Sequence, residues 1–142
     1  MSFIPLREAT LQEALDSSTV EGELYEKLDD DKLRCFACGH RCVIFPGQRG
    51  ICKVRYNEGG QLRVPYGYAA GVQSDPVEKK PYFHTLPGSN ALTFGMLGCD
   101  FHCSYCQNWV TSQALRDDAA GIGPTHFSAD ELVAGARRTG AR

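Results

Sequence analysis

The chain has 142 residues, 15 Lys and Arg against 17 Asp and Glu, a formal net charge of −2 and 42% hydrophobic residues. That suits one modest globular domain, or two small units sharing an interface, and excludes a disordered, coiled-coil or collagen-like chain. No basic run offers nucleic acid a footprint, the apolar stretches are too broken by Gly and Pro to span a bilayer, and Met1 to Glu8 lacks the pattern of a secretory signal, so a soluble cytoplasmic protein is expected.

In chain order, residues 1–32 read as a helical leader. Leu6, Ala9, Ala14 and Leu15 make a partial apolar stripe from Arg7 to Asp16, and Glu21 to Leu28 is a second short helical candidate with Leu24, Tyr25 and Leu28 on one face. Asp29-Asp30-Asp31-Lys32 reads as a solvated break. Residues 33–75 change to short strands and turns. Ile51 to Tyr56 and Gln61 to Tyr66 flank Asn57-Glu58-Gly59-Gly60, a hairpin signal that places Pro65 at a strand edge or end.

Asp75-Pro76 and Lys80-Pro81 suggest an extended connector, because the residue before Pro avoids helix. In residues 76–142, Ala91 to Met96 is a short buried-strand candidate running into Cys99. Ser128 and Glu131 have capping-box spacing ahead of a helix with Leu132, Val133 and Ala136 on its apolar face. A strand, a loop and a helix are the opening of a parallel α/β unit, which needs further strands to bury it, so the chain reads as truncated. No internal repeat is evident.

The seven cysteines fall into two groups, Cys35, Cys38, Cys42, Cys52 and Cys99, Cys103, Cys106. An odd number without an export signal favours metal ligation or catalysis over a disulfide framework. The second group, Gly98-Cys99-Asp100-Phe101-His102-Cys103-Ser104-Tyr105-Cys106-Gln107-Asn108-Trp109, has C-x3-C-x2-C spacing. Three thiolates on one short loop can wrap a cubane 4Fe–4S cluster and leave one iron open to an external ligand. The plainer readings are three free thiols, or three zinc ligands with His102 or His84 as the fourth. The first group offers four thiolates within eighteen residues, suited to tetrahedral zinc or to a closed second cluster, with zinc slightly favoured. Its plainer reading is buried free thiols.

The C-x3-C-x-aromatic-C pattern of Cys99, Cys103, Tyr105 and Cys106 resembles the signature of the radical SAM superfamily. Arg34 to Cys42, Gly47 to Arg55, Pro76 to Pro81, His84 to Ser89 and Cys106 to Trp109 narrow the likeness. They resemble the AmmeMemoRadiSam-system radical SAM enzymes, relatives of pyruvate formate-lyase activating enzymes. The resemblance covers roughly Lys32 to Ser112.

It implies an α/β fold, the start of a partial (βα)6 barrel with the cluster in the loop after its first strand; the spacing of the first group places a small cysteine-rich β-hairpin metal module before it. It also implies a 4Fe–4S cluster on Cys99, Cys103 and Cys106, with Tyr105 near the adenine of bound S-adenosylmethionine. The implied activity is that of an oxidoreductase that reductively cleaves S-adenosylmethionine to a 5′-deoxyadenosyl radical for hydrogen abstraction. Its implied partners are an electron donor such as flavodoxin or ferredoxin, and a protein substrate if the activity is glycyl-radical activation. The family's later barrel strands and glycine-rich cofactor segment are not in these 142 residues, so the piece alone is expected to be inactive or weakly active.

Lone histidines are more often structural than functional, which covers His84, His102 and His40. Glu78-Lys79-Lys80 reads as a solvated turn, Phe101 and Trp109 as packing in a barrel wall, and Gly47, Gly50, Gly59 and Gly60 as turn glycines. The rival from another class is a non-catalytic metal-binding or interaction module with zinc at the first group.

Overall fold

The computed structural model describes residues 10–141. Thr10 opens the helix α1 (Leu11–Asp16) with a capping box. Its hydroxyl accepts from the Glu13 N–H at 3.2 Å, while the Glu13 carboxylate accepts from the Thr10 N–H at 2.8 Å. Leu6 and Ala9 of the expected leader helix lie outside the described residues. The second helical candidate, Glu21 to Leu28, is not a helix; two strands, β1 (Thr19–Glu21) and β2 (Tyr25–Lys27), occupy that stretch. The reason is a close approach: a Cβ on Gly22 would meet Val64 Cγ1 at 2.6 Å, so the chain runs flat against its neighbouring strand.

That neighbour is β6 (Gln61–Pro65), the centre of an antiparallel sheet ordered β1-β6-β5, where β5 is Tyr56–Glu58. The hairpin signal is realised with Glu58 opposite Gln61. Gly59 and Gly60 turn it, both at positive φ (57° and 81°), the conformation a two-residue hairpin loop requires. Pro65 ends β6. A second antiparallel sheet, β2-β3-β4, contains β3 (Leu33–Cys35) and β4 (Val43–Ile44). The acidic run is the tight turn joining β2 to β3, with Lys32 Nζ on Asp30 at 3.0 Å.

The expected barrel does not form. Ala91 to Met96 corresponds to β9 (Asn90–Gly95), but its partner is an earlier strand, β8 (Gly71–Pro76), and the pairing is antiparallel from Gly71↔Gly95 to Pro76↔Asn90. Nor is β9 buried on both faces as a parallel barrel strand would be, since Phe94 is 52% exposed. The fold class is therefore corrected: the described residues form small antiparallel sheets with few helices, not the start of a (βα)6 barrel. The expected connector is also different. Asp75-Pro76 belongs to β8, and Val77–Lys79 forms a single 3-10 turn held by Lys79 and Lys80, each donating to Asp75 at 2.8 Å.

Two short strands, β7 (Tyr68–Ala69) and β10 (Thr125–His126), make a fourth, two-stranded sheet. The helix α2 (Trp109–Ser112) follows the second cysteine group. The helix α3 (Ala129–Thr139) starts at the expected Ser128–Glu131 capping box and ends on Gly140 in the left-handed conformation. Among the described residues no helix is long and apolar enough to cross a membrane.

Two small cores hold these layers. One gathers Leu33, Cys35, Ile44 and Leu62; the other gathers Leu15, Cys52, Val54, Tyr68, Leu97, Ala114 and Ala120. Asn57 braces the first from within β5. Fully buried, it donates to the carbonyls of Asp31 at 2.7 Å and Ile44 at 2.9 Å and accepts from the Gly60 N–H at 2.8 Å. Gly98 serves the second core. At φ +85° its backbone lies so close to Cys52–Val54 that a Cβ would sit 2.6 Å from Val54 Cγ1 and 2.9 Å from the Cys52 carbonyl oxygen.

Each brace predicts a cost. Asn57→Ala leaves the buried Gly60 N–H without its acceptor and strips a donor from the Asp31 and Ile44 carbonyls, and should lower stability by about 2 kcal/mol. Gly98→Ala combines a left-handed backbone with overpacking and should cost a similar amount, at least about 2 kcal/mol. Urea unfolding midpoints at unchanged slope measure both.

Candidate metal centre

The second cysteine group is a loop between two anchors. Leu97, 1% exposed, plants the chain in the core, and Gly98 follows it onto Cys52–Val54. The Gly98 N–H then donates to the Thr111 carbonyl at 2.9 Å, so the far end of the loop, in α2, closes back on its start. Within the loop the Cys106 N–H donates to the Cys103 carbonyl at 3.2 Å, a turn that carries two of the thiols. All three thiols are free, Cys99 and Cys106 half-buried and Cys103 exposed. The Phe101 N–H points at Cys99 Sγ at 3.4 Å.

A polar network with no motif of its own supports this loop from below. Arg116 donates to the carbonyl of Cys99 at 2.9 Å and, through the same nitrogen, to the carbonyl of Ile51. Its other terminal nitrogen reaches Gln113 Oε1 at 3.3 Å, and Gln113 Nε2 reaches the Phe101 carbonyl at 3.3 Å and Ser112 Oγ at 3.1 Å. Ser112 Oγ in turn lies 3.3 Å from Cys106 Sγ. Ser112 and Gln113 are buried, so the network is fixed in the interior. Sequence reasoning misses these residues. Their only trace is a run of polar residues straight after the cysteines, and that does not separate them from a solvated helix face.

The first group is built from two turns. The Cys35 N–H donates to the Cys42 carbonyl at 2.9 Å, so these residues face each other across the neck of the β3–β4 hairpin, and Cys38 sits in its loop. Cys52 rides on the turn closed by the Lys53 N–H to the Gly50 carbonyl at 2.9 Å. That turn lies on Cys42, since a Cβ on Gly50 would be 3.7 Å from Cys42 Sγ. Burial pushes the Cys35 thiol up, opposed by the Ala37 N–H and by the charge of Arg55, while Cys52 and Cys38 act on it as further neighbours. Arg55 Nη1 points at Cys52 Sγ at 3.9 Å. Tyr68 nearby is pushed up to about 12, mainly by burial.

The two groups share one place. Gly98 rests on Cys52, Arg116 joins Ile51 to Cys99, and His40 of the first group stands 3.7 Å from the Asp100 carboxylate and packs its ring on Phe101. Between them opens a groove of about 570 Å³ whose lining includes Cys38, Cys52, Cys99 and Arg55, with Leu62 and Leu97 among its apolar walls.

Tyr105 is 88% exposed, with its ring in solvent, and His84 and His102 are exposed and do not line the groove. Phe101 and Trp109 are exposed too, which corrects their expected place in a barrel wall.

The donor chemistry of both groups fits soft metal centres: unpaired thiols gathered on short turns. Among the described residues, no three or more Cys, His, Asp or Glu side chains already converge on one metal-sized centre. Thiol sites of this kind commonly close only around their metal.

A protein of Methanocaldococcus jannaschii named Uncharacterized protein MJ0808 is 44% identical to this chain over 99 residues, 69% of this chain and 30% of the relative. The chain thus spans under a third of that relative's length. No protein-family model and no solved structure matches it.

Proposed function

We propose that Cys99, Cys103 and Cys106 hold a 4Fe–4S cluster and that the chain forms part of a radical SAM oxidoreductase. The observation that carries this reading is the loop itself. Its three free thiols stand in C-x3-C-x-aromatic-C order on one closed turn, half-buried at both ends and exposed in the middle. Three protein ligands leave a coordination position for S-adenosylmethionine. When bound, such a cluster supplies the electron that cleaves S-adenosylmethionine reductively, ahead of hydrogen abstraction from a substrate.

The chain's own residues have separable tasks in this reading. Gly98 and the Thr111 carbonyl close the loop, and Arg116 fixes the Cys99 carbonyl, so the first ligand is oriented before any metal arrives. Ser112 must donate its hydroxyl proton once Cys106 is a thiolate, because a thiolate has none to give. The apolar walls of the groove beside Cys99 limit water near the loop. Exposed Cys103 leaves room for a reductant such as flavodoxin or ferredoxin to approach. The substrate in this reading is a partner protein, as in glycyl-radical activation, or another molecule.

Anaerobic reconstitution with iron and sulfide tests the reading. The chain should take up close to one cluster, and Cys99→Ala, Cys103→Ala and Cys106→Ala should each lose it; a variant retaining full iron and sulfide removes that cysteine from the ligand set. Reduced preparations given S-adenosylmethionine are then assayed for 5′-deoxyadenosine.

Ser112 gives a finer expectation. A hydrogen bond to a ligand sulfur favours the more negative, reduced cluster. One bond of about 0.5–1.5 kcal/mol corresponds to roughly 20–60 mV for one electron. Ser112→Ala should therefore lower the cluster's reduction potential by about that amount. Ser112→Thr, which keeps the hydroxyl, should restore it. Potentiometric titration followed by electron paramagnetic resonance measures the shift.

A further inference from the structure

We propose that Cys35, Cys38, Cys42 and Cys52 form a separate tetrathiolate zinc site, with Arg55 as its counter-charge. This does not rest on the radical SAM reading, because none of these residues belongs to the second loop. The backbone does the gathering. The hairpin neck sets Cys35 against Cys42, the hairpin loop carries Cys38, and the Gly50–Lys53 turn lays Cys52 against the same hairpin through Gly50 and Cys42 Sγ, 3.7 Å from the position of a Gly50 Cβ. Two short turns presenting four sulfurs is how a zinc knuckle is built, and tetrahedral zinc takes four thiolates.

The second observation is independent of the spacing and points to negative charge at the sulfurs. Arg55 reaches Cys52 Sγ with Nη1 at 3.9 Å, its Nε is buried without an acceptor, and among the described residues no carboxylate pairs with it. The Tyr68 hydroxyl, on a residue 4% exposed that shares a core with Cys52, is likewise a buried donor without an acceptor. Beside four neutral thiols, an unpaired cation and two orphaned donors are only a cost. Zinc with four thiolates carries a net charge of −2, which the Arg55 guanidinium beside Cys52 Sγ then partly balances. Buried carboxylates would serve as well for an arginine, but none is supplied here.

A metal at this point also explains how two cores as small as these stay joined. Cys35 belongs to one and Cys52 to the other, so a bond from each to a common ion crosses the junction.

The experiment uses the full chain purified with zinc and, beside it, the Cys99→Ala/Cys103→Ala/Cys106→Ala variant. Metal analysis of the triple variant should find one zinc, and cobalt should replace it with thiolate charge-transfer absorption. A folded triple variant without zinc, or one that holds iron and sulfide instead, overturns the assignment. The unsubstituted chain gives a reading that needs no variant to fold. Zinc should protect Cys35, Cys38, Cys42 and Cys52 from alkylation, mapped peptide by peptide; equal labelling with and without zinc overturns the site. Arg55→Gln should weaken zinc binding about 10- to 100-fold in chelator competition, with Arg55→Lys recovering part of the loss. Unchanged affinity in a folded Arg55→Gln chain removes Arg55 from the role. Failure of cluster reconstitution at the second loop would leave every one of these readings unaffected.

Discussion

The guanidinium of Arg116 sits where the two halves of the cysteine chemistry meet, and its partners are backbone carbonyls rather than carboxylates. It joins Ile51, next to Cys52, to Cys99, and continues through Gln113 and Ser112 to Cys106. A planar fork with several donors can hold two carbonyls and a side-chain amide at once; a lysine ammonium on its flexible stem would hold the charge without fixing the angles. The clamp works because Gly98 lets the incoming chain lie on Cys52–Val54 with no side chain between them. Remove either feature and the second loop loses its fixed height above the first group, whatever metal either group holds.

Small cores make such polar bracing matter more than it would in a larger domain. The sheets are two or three strands each, and neither core on its own buries much apolar surface. Stability is therefore shared out among local devices. Asn57 ties β4, the acidic turn and the glycine hairpin to one amide. Arg49 links α1 to the Cys52 turn, pairing with Asp16, donating to the Lys53 carbonyl at 3.0 Å and stacking over Tyr56 at 4.7 Å. The second of these attaches the segment carrying Cys52 to the first helix.

Features that depend on neighbouring residues are legible in the amino-acid sequence. The Asn57 to Gly60 hairpin and the Ser128 capping box are written in contiguous residue types, and the two cysteine groups in spacing. What the sequence hides depends on distant pairing. Ala91 to Met96 reads equally as a barrel strand or as half of a ribbon, and periodicity does not separate the two for short apolar runs. Its real partner, β8, is concealed because Gln73-Ser74-Asp75-Pro76 resembles a connector, yet polar residues are tolerated there since β8 faces solvent along most of its length. Glu21 to Leu28 misleads for a similar reason: pairing with β6 at Glu21 and with β3 from Tyr25 to Lys27 outweighs a weak helical stripe. Arg116, Gln113 and Ser112 carry no signal of their own, because a polar residue is marked as structural only by what it is buried against.

The distribution of burial over the seven thiols argues for dividing the labour between the two groups. Cys35 and Cys52 are buried inside the two cores, where a ligand exchanging with solvent would have to disrupt packing. With Cys38 and Cys42 half-buried beside them, four sulfurs of which two are anchored in the cores suit a closed, structural ion. Cys103 is exposed and its neighbours Cys99 and Cys106 are only half-covered, on a loop fixed at its ends and open in its middle. Three sulfurs there suit a centre that must admit a small molecule and an electron donor. On the proposed assignments the buried group bears the mechanical load and the exposed group meets the reactants. The groove between Cys38, Cys52 and Cys99 is then a boundary shared by both, so a change in the metal content of the first group would be felt in the geometry of the second.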